Sequence, residues 1–147
     1  MGPMTTGNSG ADVLAHAFGP LEVQVLEAIW REGGATTVKD LHKGFPQVAY
    51  TTLMTTVERL HKKGVLCRAK TGRAYVYEPR FARHELEMRL AARSVEGFLA
   101  AARGRGAIEL LLSCFVDAVS ERDRLLLNDL ERLLKAKRMR LRGEESE

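Results

Sequence analysis

Residues 49–77, AYTTLMTTVERLHKKGVLCRAKTGRAYVY, constrain the fold more than any other stretch, because they read as a threonine-rich amphipathic helix followed by a basic hairpin. Leu53, Val57 and Leu60 stand at offsets of four and three and so share one helical face. The opposite side carries Tyr50, Thr51, Thr52, Thr55, Thr56 and Arg59, with Glu58 as the exception to its lack of acid. β-Branched Thr is a mediocre helix former, so this many in one helix suggests a reason other than helicity. Short hydroxyls beside an Arg suit a DNA major groove, where Thr meets phosphate, base edge or thymine methyl and Arg forks onto guanine.

Lys62-Lys63-Gly64 closes the helix: cations favour its C-terminal end, and Gly64 supplies a left-handed stop. Val65–Ala69 and Ala74–Tyr77 then read as short strands around Lys70-Thr71-Gly72-Arg73, a loop that leaves Lys70 and Arg73 at the tip to touch a phosphate backbone. Between Arg59 and Arg83 the basic residues are Arg59, Lys62, Lys63, Arg68, Lys70, Arg73, Arg80 and Arg83, against Glu78 alone, while the whole chain carries a net charge of only +4. The positive charge is therefore concentrated, as phosphate binding requires.

Upstream, Leu21, Val25, Leu26, Ile29 and Trp30 form a helical apolar stripe between Gly19-Pro20 and Gly33-Gly34. Ala35-Thr36-Thr37 reads as a short extended piece, and Val38–Phe45 as a second helix with Val38, Leu41 and Phe45 inward, stopped by Pro46. Helix, helix, recognition helix and hairpin in this order predict a winged helix-turn-helix over residues 18–80, within a mainly α chain with a small β wing. Residues 1–17, rich in Gly, Thr and Ser, are expected as a flexible tail, and residues 139–147 as a frayed end.

Residues 81–138 read as a helical dimerisation domain. Leu86, Leu90, Phe98 and Leu99 offer one apolar side, and Ile108, Leu111, Leu112 and Phe115 another. Ser120, with Asp123 at the reciprocal position, is a candidate cap for a last helix carrying Leu126, Leu127, Leu130 and Leu134. These helices are too few to hide their leucines within one subunit, so pairing across a two-fold axis is the expected solution.

LEVQVLEAIW and then AYTTLMTTVERLHKKGVLCRAKTGRAYVYEP resemble the penicillinase-repressor family, the BlaI and MecI group, with the copper-responsive CopY repressors as relatives. The match spans roughly residues 18–138 and is densest in the AYTT helix and the KKG to GRAYVYEP wing. The resemblance implies a homodimeric repressor of an inverted-repeat DNA operator, inactivated by proteolysis after a membrane sensor detects a β-lactam. Members of the group are cleaved at an Asn-Phe bond, and aligning LSCFV on that region puts Cys114-Phe115 there. The Asn is absent, which leaves another bond, a different sensor or a non-proteolytic signal open.

On this reading Thr51, Thr52, Thr55, Thr56 and Arg59 read or brace the groove, while Tyr50, Lys62, Lys63, Lys70 and Arg73 hold phosphates. Metal sensing of the CopY kind lacks its paired Cys-x-Cys motifs, and His16, His42, His61 and His84 are scattered without ligand spacing. No cofactor is expected. Cys67 and Cys114 fit small buried hydrophobes better than a redox switch. The alternatives are a winged-helix module meeting an acidic protein and a metal- or redox-responsive CopY-like regulator, whereas an enzyme has no Gly-rich phosphate loop and no nucleophile with a recognisable base. No apolar run approaches the roughly 18–20 residues that cross a bilayer, and no signal peptide is visible, so membrane insertion is not expected and a cytoplasmic location is.

Overall fold

A computed structural model of the protein describes residues 9–147, with side chains from Val13 onward. Its elements are α1 (Ser9–Ala17), α2 (Pro20–Glu32), α3 (Val38–His42), α4 (Tyr50–Lys62), β1 (Leu66–Thr71), β2 (Ala74–Pro79), α5 (Arg83–Ala101), α6 (Arg105–Arg122) and α7 (Leu125–Glu145). The chain divides into two compact units, one ending at Val95 and one from Glu96 to Glu147. The division falls inside α5, not at residue 80.

In the first unit α2, α3 and α4 build the helix-turn-helix and β1–β2 the wing. Val25, Leu26 and Ile29 from α2, Leu41 from α3, and Leu53, Val57 and Leu60 from α4 are buried in one core with Val65, Leu66 and Tyr77 from the wing. Pro20 opens α2, where its missing N–H costs nothing, and the Glu22 carboxylate accepts from the Gly19 N–H at 3.1 Å. This is half of a capping box, since Gly19 has no side chain to return the bond. Thr37 caps α3, its hydroxyl accepting from the Asp40 N–H at 3.1 Å. α3 ends at His42, earlier than expected, and Phe45 packs half-buried from the following turn.

α4 stops in a Schellman motif. The Val65 N–H donates to the Leu60 carbonyl at 3.2 Å, the Gly64 N–H to the His61 carbonyl at 3.0 Å, and Gly64 takes φ +80°. The chain leaves directly into β1. The hairpin turn is tighter than the expected four-residue loop: Thr71 pairs with Ala74, leaving Gly72-Arg73 as the turn, with Gly72 at φ +65°. A Gly in the first central position is what a type II′ hairpin turn demands. Thr36 adds a third rung, its N–H donating to the Tyr77 carbonyl at 2.8 Å and its carbonyl accepting from the Tyr77 N–H at 2.7 Å. The wing is thereby tied to the segment between α2 and α3.

Two expectations fail here. Residues 9–17 are α1, not a tail; Leu14 is fully buried and Phe18 nearly so, both in the core. The part of that expectation covering residues 1–8 lies outside the described residues. Leu86 is also core, 3% exposed, and Leu90 packs against it, so these two serve the first unit and not a dimer face. Trp30 fixes the approach of α5, its indole N–H donating to the Phe81 carbonyl at 3.0 Å.

The second unit contains α6 and α7 with the end of α5. Ser120 lies inside α6 and its hydroxyl donates to the Asp117 carbonyl, so it caps nothing; Asp123 starts α7 by accepting from the Leu125 N–H at 2.9 Å. α7 continues to Glu145, so residues 139–145 are helical and not frayed. Neither α6 nor α7 has a buried residue. No helix among the described residues is long and apolar enough to cross a membrane.

Candidate nucleic-acid interface

The periodicity of α4 produces a sharp division of exposure. Leu53 and Leu60 are fully buried and Val57 is 1% exposed, while Tyr50, Thr51, Thr52, Thr55 and Arg59 are exposed. Thr51, Thr52, Thr55, Thr56 and Arg59 line one shallow groove. Thr56 sits at its floor, 7% exposed, with its hydroxyl donated to the Thr52 carbonyl at 2.8 Å. It stands three residues from Leu53 and four from Leu60, so it belongs to the inward arc. Its expected place on the reading face is corrected: Thr56 braces the helix from within.

Thr55 makes the same back-bond, to the Thr51 carbonyl at 2.9 Å, but stays exposed. A hydroxyl whose proton is committed to its own helix offers a partner an acceptor lone pair and a methyl group, not a donor. Thr51 and Thr52 donate to no described residue, so they keep both capacities. Ala49 is the N-cap and makes no side-chain cap bond, leaving the first-turn N–H groups of α4 without a side-chain acceptor. Tyr50 packs edge-on against His42 with ring centres 5.6 Å apart, and His42 Nε2 bonds the Val48 carbonyl at 2.8 Å, fixing the turn into α4. Met54, 48% exposed on the same helix, is a residue that sequence reasoning passed over. Its signal was its position outside the Leu53, Val57, Leu60 spacing.

Lys63, expected to hold phosphate, is engaged within the protein. Its ammonium meets both carboxylate oxygens of Glu22, at 3.0 and 2.9 Å, and lies 5.1 Å from the centre of the Phe18 ring. Burial opposes ionisation of Glu22, but the Lys63 bond, the Gly19 amide and the charges of Lys63 and Arg59 outweigh it and hold the carboxyl below its ordinary value. Lys63 is therefore the strut between α2 and the end of α4. Lys62 is exposed at that helix end, Lys70 is exposed on β1 opposite Tyr75, and Arg73 is exposed in the turn. Arg68 stacks on Tyr75, guanidinium carbon 4.4 Å from the ring centre; Tyr75 is nonetheless exposed, while Tyr77 is core.

The residues expected to dimerise divide sharply. Phe98, Leu99, Leu112, Phe115, Leu126 and Leu134 are exposed, and Ile108, Leu111, Leu127 and Leu130 half-buried. Cys114 and Phe115 lie within α6, so the bond between them is helical, and Phe115 is 52% exposed. Cys67 and Cys114 are both exposed free thiols, one on β1 and one on α6, which corrects the expectation that they are buried. Among the described residues no cluster of three or more His, Cys, Asp or Glu could hold a metal ion.

The penicillinase repressor family model matches residues 18–136. The chain belongs to that family. The transcriptional regulator BlaI of Mycobacterium tuberculosis is 34% identical over 105 residues, which span 69% of this chain and 73% of that protein. Similar solved structures include a MarR family protein from Bacillus stearothermophilus, at TM-score 0.44 and 16% identity over 77% of this chain and 81% of that one. MepR, a transcription regulator of the Staphylococcus aureus multidrug efflux pump MepA, has TM-score 0.45 and 13% identity over 78% and 87%. This penicillinase repressor family member is a transcriptional regulator of the BlaI type with a winged-helix fold, and not an enzyme.

Proposed function

We propose that the protein is a dimeric repressor that binds an inverted-repeat operator, with α4 in the major groove and the wing on the phosphate backbone. The observation that carries this reading is the face of α4: Thr51, Thr52, Thr55 and Arg59 exposed directly behind a fully buried Leu53 and Leu60. Leucines locked in the core hold the helix rigidly, so the exposed side chains are presented without an ordering cost at binding. Arg59 supplies the fork for a guanine edge, and Thr55 a methyl and an acceptor. Tyr50, Lys62, Lys70 and Arg73, with the open amides at the start of α4, supply phosphate contacts.

Dimerisation is supported by the second unit. Its exposed Leu112, Phe115, Leu126 and Leu134 would remain in water in a monomer, and large apolar side chains left open in this number favour an interface. A two-fold pair would present two copies of α4 to half-sites about one or more helical turns apart. Release of DNA then depends on a signal, and the family's sensor-triggered cleavage would have to act at Cys114-Phe115 or elsewhere; a helical bond must unwind before a protease can hold it. The protein would work in the cytoplasm, where the operator is.

A salt-series titration on duplex DNA from upstream of the protein's own gene, against a scrambled duplex of equal length, tests the reading. Tight binding that prefers the native duplex, with two subunits per site and a steep loss with salt, is expected. Equal binding to all duplexes would overturn sequence-specific repression, and no affinity at low salt would shift the basic face to an acidic protein partner.

A further inference from the structure

We infer that a cavity bounded by α1, the end of α4 and α5 binds a small organic anion with an apolar body, and that its occupancy weakens DNA binding; the second half rests on the DNA-binding reading above. The cavity measures about 750 Å³, inside the roughly 300–1,000 Å³ of small-molecule sites. Phe18, Val65 and Leu86 give it an apolar base, widened by the half-buried Phe81 and Leu90. Lys63, Arg80, Arg89 and Arg93 also line it, and among the described residues no carboxylate does.

Lys63 and Arg89 are each engaged by a carboxylate outside the lining, Glu22 at 2.9 Å and Glu85 at 3.3 Å. Arg89 also lies 4.3 Å from the Phe81 ring centre. Arg80 and Arg93 form no ion pair with any described residue. An apolar concavity beside Arg80 and Arg93, which no described carboxylate neutralises, favours a ligand that brings one negative charge on a hydrocarbon or aromatic body. A neutral ligand would gain the base alone, and an inorganic anion the charges alone.

The cavity wall is also the joint of the DNA-binding apparatus. Lys63, Gly64 and Val65 lead from α4 into β1, and Arg80 leaves β2 with its N–H donating to the Val65 carbonyl at 3.0 Å. A bound anion would compete with Glu22 for Lys63. The strut between α2 and α4 would loosen, and the angle between α4 and the wing would change.

The experiment is calorimetric titration of the full chain with 2-naphthoate and with the uncharged 2-naphthamide. One naphthoate per chain is expected, bound about tenfold tighter than the amide. Ala92→Trp, which fills the cavity from its α5 side, should abolish binding, and Arg93→Gln should weaken it about tenfold. Circular dichroism checks that each variant is folded, and Arg93→Gln carries the test if Ala92→Trp is not. Saturating naphthoate should weaken operator binding severalfold in the parent protein and leave folded Ala92→Trp unaffected. Equal affinity for acid and amide, or unchanged affinity in the folded variants, would overturn the site. So would naphthoate affinity that falls as protein concentration rises, which would make a second copy the occupant. Naphthoate binding with unmoved operator affinity would overturn the regulatory half. A protein that binds naphthoate but no DNA would sustain the site and remove the repressor reading.

Discussion

The unit ending at Val95 and the unit from Glu96 onward handle apolar side chains in opposite ways. Every buried hydrophobic of the described residues lies at or before Leu86, whereas α6 and α7, despite their leucines, bury none. Apolar content does not separate them. The first unit brings several helices and a hairpin onto one core, so each apolar stripe finds a covering surface. α6 and α7 have mainly each other, and a pair of helices cannot cover both apolar sides. The first unit closes its own core, while the second leaves its apolar side chains open, and that contrast is what supports the proposed dimer.

The comparison breaks most visibly at the dimer face. Replacing both Leu112 and Phe115 by Asp puts four charges into a symmetric interface, two per subunit. Burial of such side chains is worth about 1.5–3 kcal/mol each, so dimer dissociation should rise by on the order of a thousandfold or more. Sedimentation equilibrium reads the association, and thermal melting should show the first unit unchanged. A dimer that survives this pair would mean that Leu112 and Phe115 are covered by something else.

Next in size is a cavity in the closed core. Leu53→Ala should cost about 2–5 kcal/mol in denaturant unfolding, because Leu53 is fully buried. Leu133→Ala, at a site 62% exposed, should cost little in a protein held monomeric. Similar losses at both positions would erase the distinction between the units.

Much of the first unit was legible because its signals are local. The spacing of Leu53, Val57 and Leu60 and the glycine after Lys63 specify α4 and its end without reference to other segments. α1 was not legible: Leu14 and Phe18 belong to the short run VLAHAF after a Gly, Ser and Thr-rich stretch, and their burial depends on surfaces brought from distant segments. Lys63 looked like a free cation because its partner, Glu22, lies 41 residues away. Thr56 was misplaced because three apolar positions understate the width of a buried helical arc. Leu86 was assigned to the wrong unit because a continuous helix conceals a domain boundary, and α5 spans it. Which side chains touch DNA rests on the exposed face of α4 as a proposal, and two arginines separate its parts.

Arg59→Ala should cost about 1–3 kcal/mol on the native duplex and relax preference at one base pair per half-site. Arg73→Ala should weaken native and scrambled duplexes nearly alike and flatten the salt slope by about one unit per subunit. Salt-series titrations of both variants on both duplexes check this, and equal losses everywhere for both would dissolve the division between base reading and phosphate holding. Thr55→Ser provides a finer probe. It keeps the hydroxyl and removes the methyl, so any loss confined to particular duplexes reports an apolar contact and not a hydrogen bond.

The smallest expected effect concerns the strut inside the first unit. Glu22 is held below its ordinary value of 4.5, so its ionised form is favoured in the folded state more than in the unfolded one. Such a group stabilises the fold fully above its unfolded value, and the contribution disappears as pH falls through the lower folded value. Melting of the parent protein should therefore lose this increment below about pH 4.5, while Glu22→Gln should lack it at neutral pH and show a flatter acid limb. Because Lys63 is 44% exposed, the pair belongs with screened surface bridges of about 0.2–1 kcal/mol, and moderate salt should shrink the difference. An acid limb unchanged in Glu22→Gln would assign it to other carboxylates and leave Lys63 free to serve DNA, which would weaken the separation of roles drawn between the core-facing and DNA-facing sides of α4.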